Sequence, residues 1–339
     1  GWIAPEWPKQ YGGGELDPHQ GRIIKEEMKR IKARTPIYGI GLWMLGPAVL
    51  EYGNEEQKQQ NIRAIVNGET RWAQGYSEPG AGSDLASLQC KAEDQGDHFL
   101  VNGSKIWTTA ADRCDWIFCL VRTNPHVKKQ EGISFLLIDM DSPGVSTTPI
   151  SLISGESEFC QTFFDNVKVP KQNLVGELNK GWSVAKALLV HERKLMAEMG
   201  SDTPRQVVAP NMAAREYLEF EGGRIADAQL RGDLVDYDMH MHAVGLTHFR
   251  TFEEKTSGVR SAAPLVMKYV GTEAEKTKSE LLLAIMGSRG LGWEGEGFTP
   301  EEIDTLRLWA MSKAMTVAGG TSEIQLNVIA KNILALPQS

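Results

Sequence analysis

Three stretches of different apolar periodicity follow one another along the chain. In residues 1–70, behind a Pro/Gly-rich entry, apolar positions recur every three to four residues. This spacing predicts helices over Gln20–Ala33, Leu42–Tyr52 and Glu55–Asn67. Between 71 and 179 the period drops to two. His98–Val101 and Ser104–Trp107 flank Asn102-Gly103, a pattern that predicts a tight hairpin. Further strands are expected at Trp116–Arg122, Ile133–Asp139, Gly144–Ile150 and Thr162–Val169, with Pro143, Pro149 and Pro170 as punctuation. Helical spacing returns over 181–199, about 211–230, about 233–257, 264–286 and 302–334, and a glycine-rich loop at 287–295 precedes the last of these. Helices and strands are thus segregated. The expectation is an α+β fold in three domains: helical 1–70, β 71–179 and helical 180–339.

The stretch 181–199 carries an anomaly. At about 100° per residue, Trp182, Ala185, Leu188, Leu189, Leu195 and Met196 form one apolar stripe, and Glu192 falls in its middle. Lys186, Arg193 and Lys194 lie outside the stripe or at its border. A carboxylate placed there is expected to lose solvent and to have its pKa raised. It is either a buried acid with a local partner or a catalytic base.

The charge balance narrows the function classes. A net charge of −8 argues against a nucleic-acid or polybasic membrane surface. No apolar run approaches the roughly 20 residues of a membrane span. The opening Gly1-Trp2-Ile3-Ala4-Pro5-Glu6-Trp7 has neither signal-peptide nor transit-peptide character, and it lacks an initiator Met. Cys90, Cys114, Cys119 and Cys160 have no zinc or redox spacing and read as reduced thiols of a cytoplasmic protein. No metal motif is expected among the seven histidines.

Three strings carry candidate chemistry. In Tyr76-Ser77-Glu78-Pro79-Gly80-Ala81-Gly82-Ser83-Asp84, two glycines around Ala81 permit a turn with positive φ. Backbone N–H groups and the Ser77 and Ser83 hydroxyls could then face a ligand, or the string is an ordinary surface turn. In Asn102-Gly103-Ser104-Lys105-Ile106-Trp107-Thr108-Thr109-Ala110, strand alternation puts Trp107 and Thr109 on one face. A flat ring beside a hydroxyl suits a planar heterocycle, although a core Trp beside a Thr reads the same way. In Val317-Ala318-Gly319-Gly320-Thr321-Ser322-Glu323-Ile324-Gln325, Thr321 or Ser322 can cap the last helix after a Gly-Gly turn.

Taken together, these strings resemble the acyl-CoA dehydrogenase family, and the resemblance runs from Pro8-Lys9-Gln10-Tyr11-Gly12-Gly13-Gly14 to Gly320-Thr321-Ser322-Glu323-Ile324-Gln325. The resemblance implies an N-terminal helical domain, a middle β-barrel-like domain and a C-terminal four-helix bundle. It implies FAD bound between domains and across a subunit interface, an acyl-CoA substrate, electron-transfer flavoprotein as acceptor and a homotetramer. On that basis Tyr76 and Ser77 contact the polar edge of the flavin, Trp107 packs on the isoalloxazine and Thr109 bonds near N5. Gly287, Gly290 and Thr321 match stretches that touch FAD, while Ser83 and Arg193 are assigned to the substrate. Further helix usually precedes the segment that opens this chain, so the chain reads as trimmed at its N-terminus.

The chain departs from the family pattern in three places. The usual Arg-x-x-Phe-Gly is replaced by Phe220-Glu221-Gly222-Gly223-Arg224-Ile225-Ala226-Asp227, with Arg224 as a candidate substitute. Ala284 stands where a Gln commonly opens the glycine loop. Gly319 occupies the position where many members carry the catalytic Glu. Isovaleryl-CoA and long-chain acyl-CoA dehydrogenases resemble this chain there and take their base from a Glu-Arg pair on the preceding long helix. Glu192-Arg193 matches that pair, which leaves Gly319 to offer its N–H to the thioester oxygen. Two other readings remain open: a non-catalytic or partner-dependent subunit of a heteromer, and an oxygen-using flavoenzyme on the same scaffold.

Overall fold

The run Trp116–Arg122 is apolar at almost every position, a pattern expected of a strand covered on both faces. Trp116, Phe118 and Leu120 turn toward one apolar cluster, whereas Ile117, Cys119 and Val121 turn toward a second. Ile133–Asp139 divides in the same way: Ile133, Phe135 and Leu137 join the first cluster, and Leu136 and Ile138 the second. Two packed layers therefore meet at these strands.

The structure, a computed structural model, describes residues 1–31, 33–34, 37, 39–189, 208–258 and 262–337. Its described residues fall into two compact units. The first holds those up to 151 and 157–189, and the second holds 152–156 and 208–337.

In the first unit, eight strands form one sheet: β1 (Trp72–Gly75), β2 (Lys91–Asp94), β3 (His98–Thr109), β4 (Trp116–Arg122), β5 (Ile133–Asp139), β6 (Val145–Ile150), β7 (Phe159–Pro170) and β8 (Leu174–Val175). Their order is β6-β7-β3-β2-β4-β5-β8, with β1 parallel to β4. The sheet curls around the second cluster, which draws Phe99, Val101, Ile117, Leu136, Val167 and Val169 from four strands onto one interior. The helices of this unit are α1 (Pro18–Arg30), α2 (Gly46–Tyr52), α3 (55–67) and α4 (181–189), and the last three cover the outer face. The start of α3 is fixed by a capping box, in which Asn54 accepts from the Gln57 N–H and the Gln57 side chain accepts from the Asn54 N–H. Leu45, Val49, Ile62 and Ile65 from this layer, with Val184, Ala185 and Leu188 from α4, fill the first cluster.

The second unit contains α5 (Pro210–Tyr217), a two-residue hairpin of β9 (Phe220–Glu221) and β10 (Arg224–Ile225), α6 (Ala228–Thr256), α7 (Pro264–Met286), α8 (Pro300–Met315) and α9 (Ser322–Asn332). Ala213, Leu234, Tyr237, Leu282 and Ile285 form its core. Among the described residues, no helix is long and apolar enough to cross a membrane.

Three expectations require correction. Asn102-Gly103 is not a hairpin turn, because β3 runs unbroken from His98 to Thr109. Gly103 instead sits at a β-bulge, with φ +142, and a Cβ there would stand 2.7 Å from the Cys90 Cα. The tight connection lies earlier, at Gly96, between β2 and β3. The helix expected over 211–230 stops at Tyr217, and Gly222-Gly223 closes the small hairpin that follows. The single helix expected over 302–334 is two, α8 and α9. Positive φ at Gly319 and Gly320 breaks the helical path between them.

Candidate active site

Glu78 belongs to the first string and Lys105 to the second, and the structure joins them. Lys105 Nζ lies 2.7 Å from Glu78 Oε1 with both side chains buried. The Glu78 carboxylate also accepts from the N–H groups of Gln89 (2.6 Å) and Cys90 (2.8 Å), so its charge is met from three directions. Lys105 Nζ donates further to the Tyr76 carbonyl at 3.2 Å, and the Ile106 N–H to the Ser77 carbonyl at 2.8 Å. The Ser77 turn and the Trp107 strand thus form one assembly. The Tyr76 ring is buried edge-on against Phe118 (5.9 Å) and Phe135 (6.4 Å), which leaves its backbone as the part able to serve a ligand. Burial pushes the neighbouring Cys90 thiol up to about 11, and the Lys105 charge offsets this only in part.

The turn itself is closed by Glu78 and Ala81, each donating its N–H to the other's carbonyl at 3.0 Å. Gly80 and Gly82 do not take the positive φ expected of them, and a Cβ on either would meet open space. Among the described residues nothing requires glycine at these two positions, and what they leave is bare, accessible backbone. Ser83 is exposed beside them. The Lys129 ammonium at 2.6 Å, with the Ser87 hydroxyl, holds the Asp84 carboxyl below its usual range and pins the far side of the turn.

Trp107 departs from simple alternation. A register shift between Lys105 and Thr108 forms a second bulge, in which Trp107 has φ +62 and is 52% exposed. A bulky side chain held in left-handed backbone is uncommon and concentrates at functional sites. Thr108 turns inward, bonded to the Cys160 carbonyl and the Thr162 hydroxyl at 2.8 Å each. Thr109 lies beyond it, partly exposed and paired across the ladder with Phe159. The Phe159 ring stands edge-on to the Trp107 indole at 6.1 Å, so one cross-strand residue supports both positions.

In the second unit, Gly287 ends α7 with φ +54 and ψ −125, and Gly290 is buried in the turn that follows. Arg289, between them, makes a two-pronged ion pair with Glu302 at 2.6 and 2.7 Å. Burial alone would raise the Glu302 carboxyl, but Arg289, the Thr299 N–H and the Tyr217 hydroxyl together hold it below the usual carboxylate range. Thr321 caps α9 by accepting from the Ile324 N–H at 3.2 Å, as its place in the third string predicted. Gly319 and Gly320 precede it, their carbonyls taken by Gln325 (3.1 Å) and the buried Lys268 (2.7 Å). Among the described residues, no acceptor takes the Gly319 N–H.

Glu192 and Arg193 lie outside the described residues. The stripe leading to them is present: Ala185 and Leu188 are buried, and Trp182 and Leu189 pack against the first cluster. Arg224 is exposed at the start of β10. Glu78, Lys105, Arg289 and Lys268, the groups that hold the loops in place, were not singled out by the sequence reading. Glu78 and Lys105 sat in the first two strings and Arg289 in the glycine-rich loop, but nothing in spacing alone pairs positions 78 and 105. A half-exposed indole, an adjacent hydroxyl and a bare glycine turn fit a flat polar ring system such as isoalloxazine.

Known proteins are similar to this chain along its length. The chain matches the acyl-CoA dehydrogenase N-terminal domain over residues 1–69, the middle domain over 73–167 and the C-terminal domain over 179–334. It is 34% identical to acyl-CoA dehydrogenase FadE34 of Mycobacterium tuberculosis over all of its own length, but it spans 45% of that protein. It is 32% identical to acyl-CoA dehydrogenase IpdE1 of Mycolicibacterium smegmatis, covering 98% of this chain and 84% of that one. Among solved structures, one described as "Tcur3481-Tcur3483 steroid ACAD" superposes with a TM-score of 0.86 at 31% identity, over 100% of this chain and 86% of that one. The ChsE4-ChsE5 complex from Mycobacterium tuberculosis superposes at 0.80 with 28% identity, over 100% and 87%. With N-terminal helical, middle β and C-terminal helical domains all matched, the chain belongs to the acyl-CoA dehydrogenase family of FAD-dependent oxidoreductases.

Proposed function

We propose that this chain carries out α,β-dehydrogenation of an acyl-CoA thioester to the trans-2-enoyl-CoA, with its domains divided at 1–70, 71–179 and 180–339. The observation that supports this most is the half-exposed Trp107, held in left-handed backbone beside Thr109 and locked to the Ser77 turn through Lys105 and Glu78. In this reading the backbone of Tyr76, the Ser77 hydroxyl, the Trp107 ring and the Thr109 hydroxyl hold the isoalloxazine, and Gly287, Gly290 and Thr321 serve other parts of the cofactor. FAD, when bound, supplies the two-electron acceptor for the hydride that leaves Cβ.

The chain's own residues handle the proton and the carbonyl. An α-proton beside a thioester is far too weakly acidic for a solvated carboxylate to remove. Glu192, three and seven positions after Leu189 and Ala185 of the buried stripe, is the proposed base, its basicity raised by loss of water. The Gly319 N–H donates to the thioester oxygen and stabilises the negative charge that develops there. Ser83 and Arg193 line the path of the substrate. Electron-transfer flavoprotein is the proposed acceptor downstream, and the cytoplasm the proposed compartment.

The solved relative described as a steroid ACAD supports a bulky, steroid-derived acyl group. Gly319, without a side chain, leaves room for it. Anaerobic mixing with acyl-CoA thioesters, from short straight chains to steroid side chains, tests the proposal. The flavin's visible absorption should bleach fastest with the steroid thioesters. Bleaching by none of them would contradict it.

A second reading has specific support: both solved relatives named above are described by pairs of chains. Exposed Met239, Leu246 and Phe249 on α6, and Val317 beyond α8, support association of some kind. A homotetramer is the first proposal and a heteromer the second. Light scattering and FAD content of the chain purified alone separate the two, since a partner-dependent chain would lose its flavin without the second subunit.

A further inference from the structure

The Glu78–Lys105 pair is buried at the junction of two strings, and its second contact has the greater consequence. Besides Glu78, Lys105 Nζ donates to the Tyr76 carbonyl. The Tyr76 C=O and the Ser77 N–H belong to one planar, trans peptide unit, in which they point in opposite directions. Fixing the carbonyl toward the interior therefore fixes the N–H away from it. The Ser77 carbonyl is held separately by the Ile106 N–H at 2.8 Å, one residue before Trp107. The Ser77 backbone is thus set on both sides beside the exposed indole. Among the described residues, no acceptor takes the Ser77 N–H.

We infer that Lys105 is a positioning residue: through the Tyr76 carbonyl it aims the Ser77 N–H at the ligand that Trp107 and Thr109 face. This rests on the reading that the ligand is the flavin. Lys105 touches no reacting atom. It acts through the peptide whose carbonyl it meets, because a carbonyl facing a dry interior favours the orientation in which a donor reaches it. Glu78 holds the ammonium in place at 2.7 Å, and its own two backbone donors hold Glu78. Lys serves here as Arg would not: a single compact ammonium reaches the carboxylate and the carbonyl together within a closed space.

The test is FAD affinity measured against apoprotein stability. Lys105→Met is compared with Val167→Ala, a core truncation in β7 at a position paired with Val101, toward the other end of β3 from Trp107. Lys105→Met should bind FAD several-fold to tenfold more weakly and shift its visible absorption. Val167→Ala should lower the melting temperature and leave FAD affinity and spectrum unchanged. Equal affinity in Lys105→Met and wild type, or equal weakening in both variants, would overturn the inference. A measurement on the wild-type chain covers the case in which Lys105→Met does not fold. Hydrogen exchange at the Ser77 amide should slow by tenfold or more when FAD is added, and an unchanged rate with FAD bound would also overturn it. Wild type that binds no FAD would instead sink the functional reading on which this one rests.

Discussion

Lys268, almost wholly buried on α7, donates from Nζ to the Gly320 carbonyl at 2.7 Å and also approaches the Thr316 carbonyl. Those carbonyls close the C-terminal end of α8 and the Gly-Gly turn, where a cation complements the helix dipole. Lys268 therefore sets the position of Gly319, whose N–H is the proposed donor to the thioester. Lys268→Met should cost about 1–3 kcal/mol, the range for leaving buried acceptors unmade. Chemical denaturation reads this directly. An unchanged midpoint would show that the turn holds itself.

The Arg289–Glu302 pair fixes the glycine loop to the start of α8 and carries a pH signature. Its folded-state carboxyl lies below the unfolded value, so the pair's contribution is present above that value and is lost as pH falls through the folded one. Stability of the wild-type chain should decline between about pH 5 and 3 more steeply than that of Glu302→Gln. At neutral pH the variant should be about 2 kcal/mol less stable, in the range for charged hydrogen bonds. Parallel curves for the two proteins across that window would contradict the assignment.

Thr109 offers a hydroxyl at the position proposed for the flavin's hydride-accepting edge. Thr109→Val keeps the shape and the β-branching and removes the donor. Single-turnover flavin reduction should slow by roughly tenfold, the effect of one lost hydrogen bond of about 1.4 kcal/mol. Rapid mixing under anaerobic conditions measures it, and reduction at the wild-type rate would remove Thr109 from the site.

Strand positions were legible where flanking signals were strong. Trp116–Arg122 and Ile133–Asp139 appear with the expected bounds because their unbroken apolar runs leave little choice. Asn102-Gly103 misled because the same dipeptide serves a hairpin turn and a bulge. Only the close approach of Cys90 decides between them, and that contact is not local. Alternation likewise placed Trp107 in an ordinary strand, since no local rule announces φ +62 at a tryptophan. The strings that proved informative were those in which several residues act together. The link from Glu78 to Lys105 between two strings, like that from Arg289 to Glu302 at the glycine loop, depends on long-range packing that periodicity does not encode.

Glu192 carries the central claim, since without a base there the third string has no carboxylate to replace the one that Gly319 lacks. Glu192→Gln keeps the shape of the side chain and cannot accept a proton. The decisive measurement is flavin absorption after anaerobic mixing of this variant, loaded with FAD, with the best acyl-CoA of the panel. The account predicts that the variant stays yellow, binds the thioester and fails to bleach, with reduction slowed by at least ~1,000-fold, a barrier increase of about 4 kcal/mol. Bleaching at close to the wild-type rate would contradict it and move the search to another carboxylate or to a second subunit.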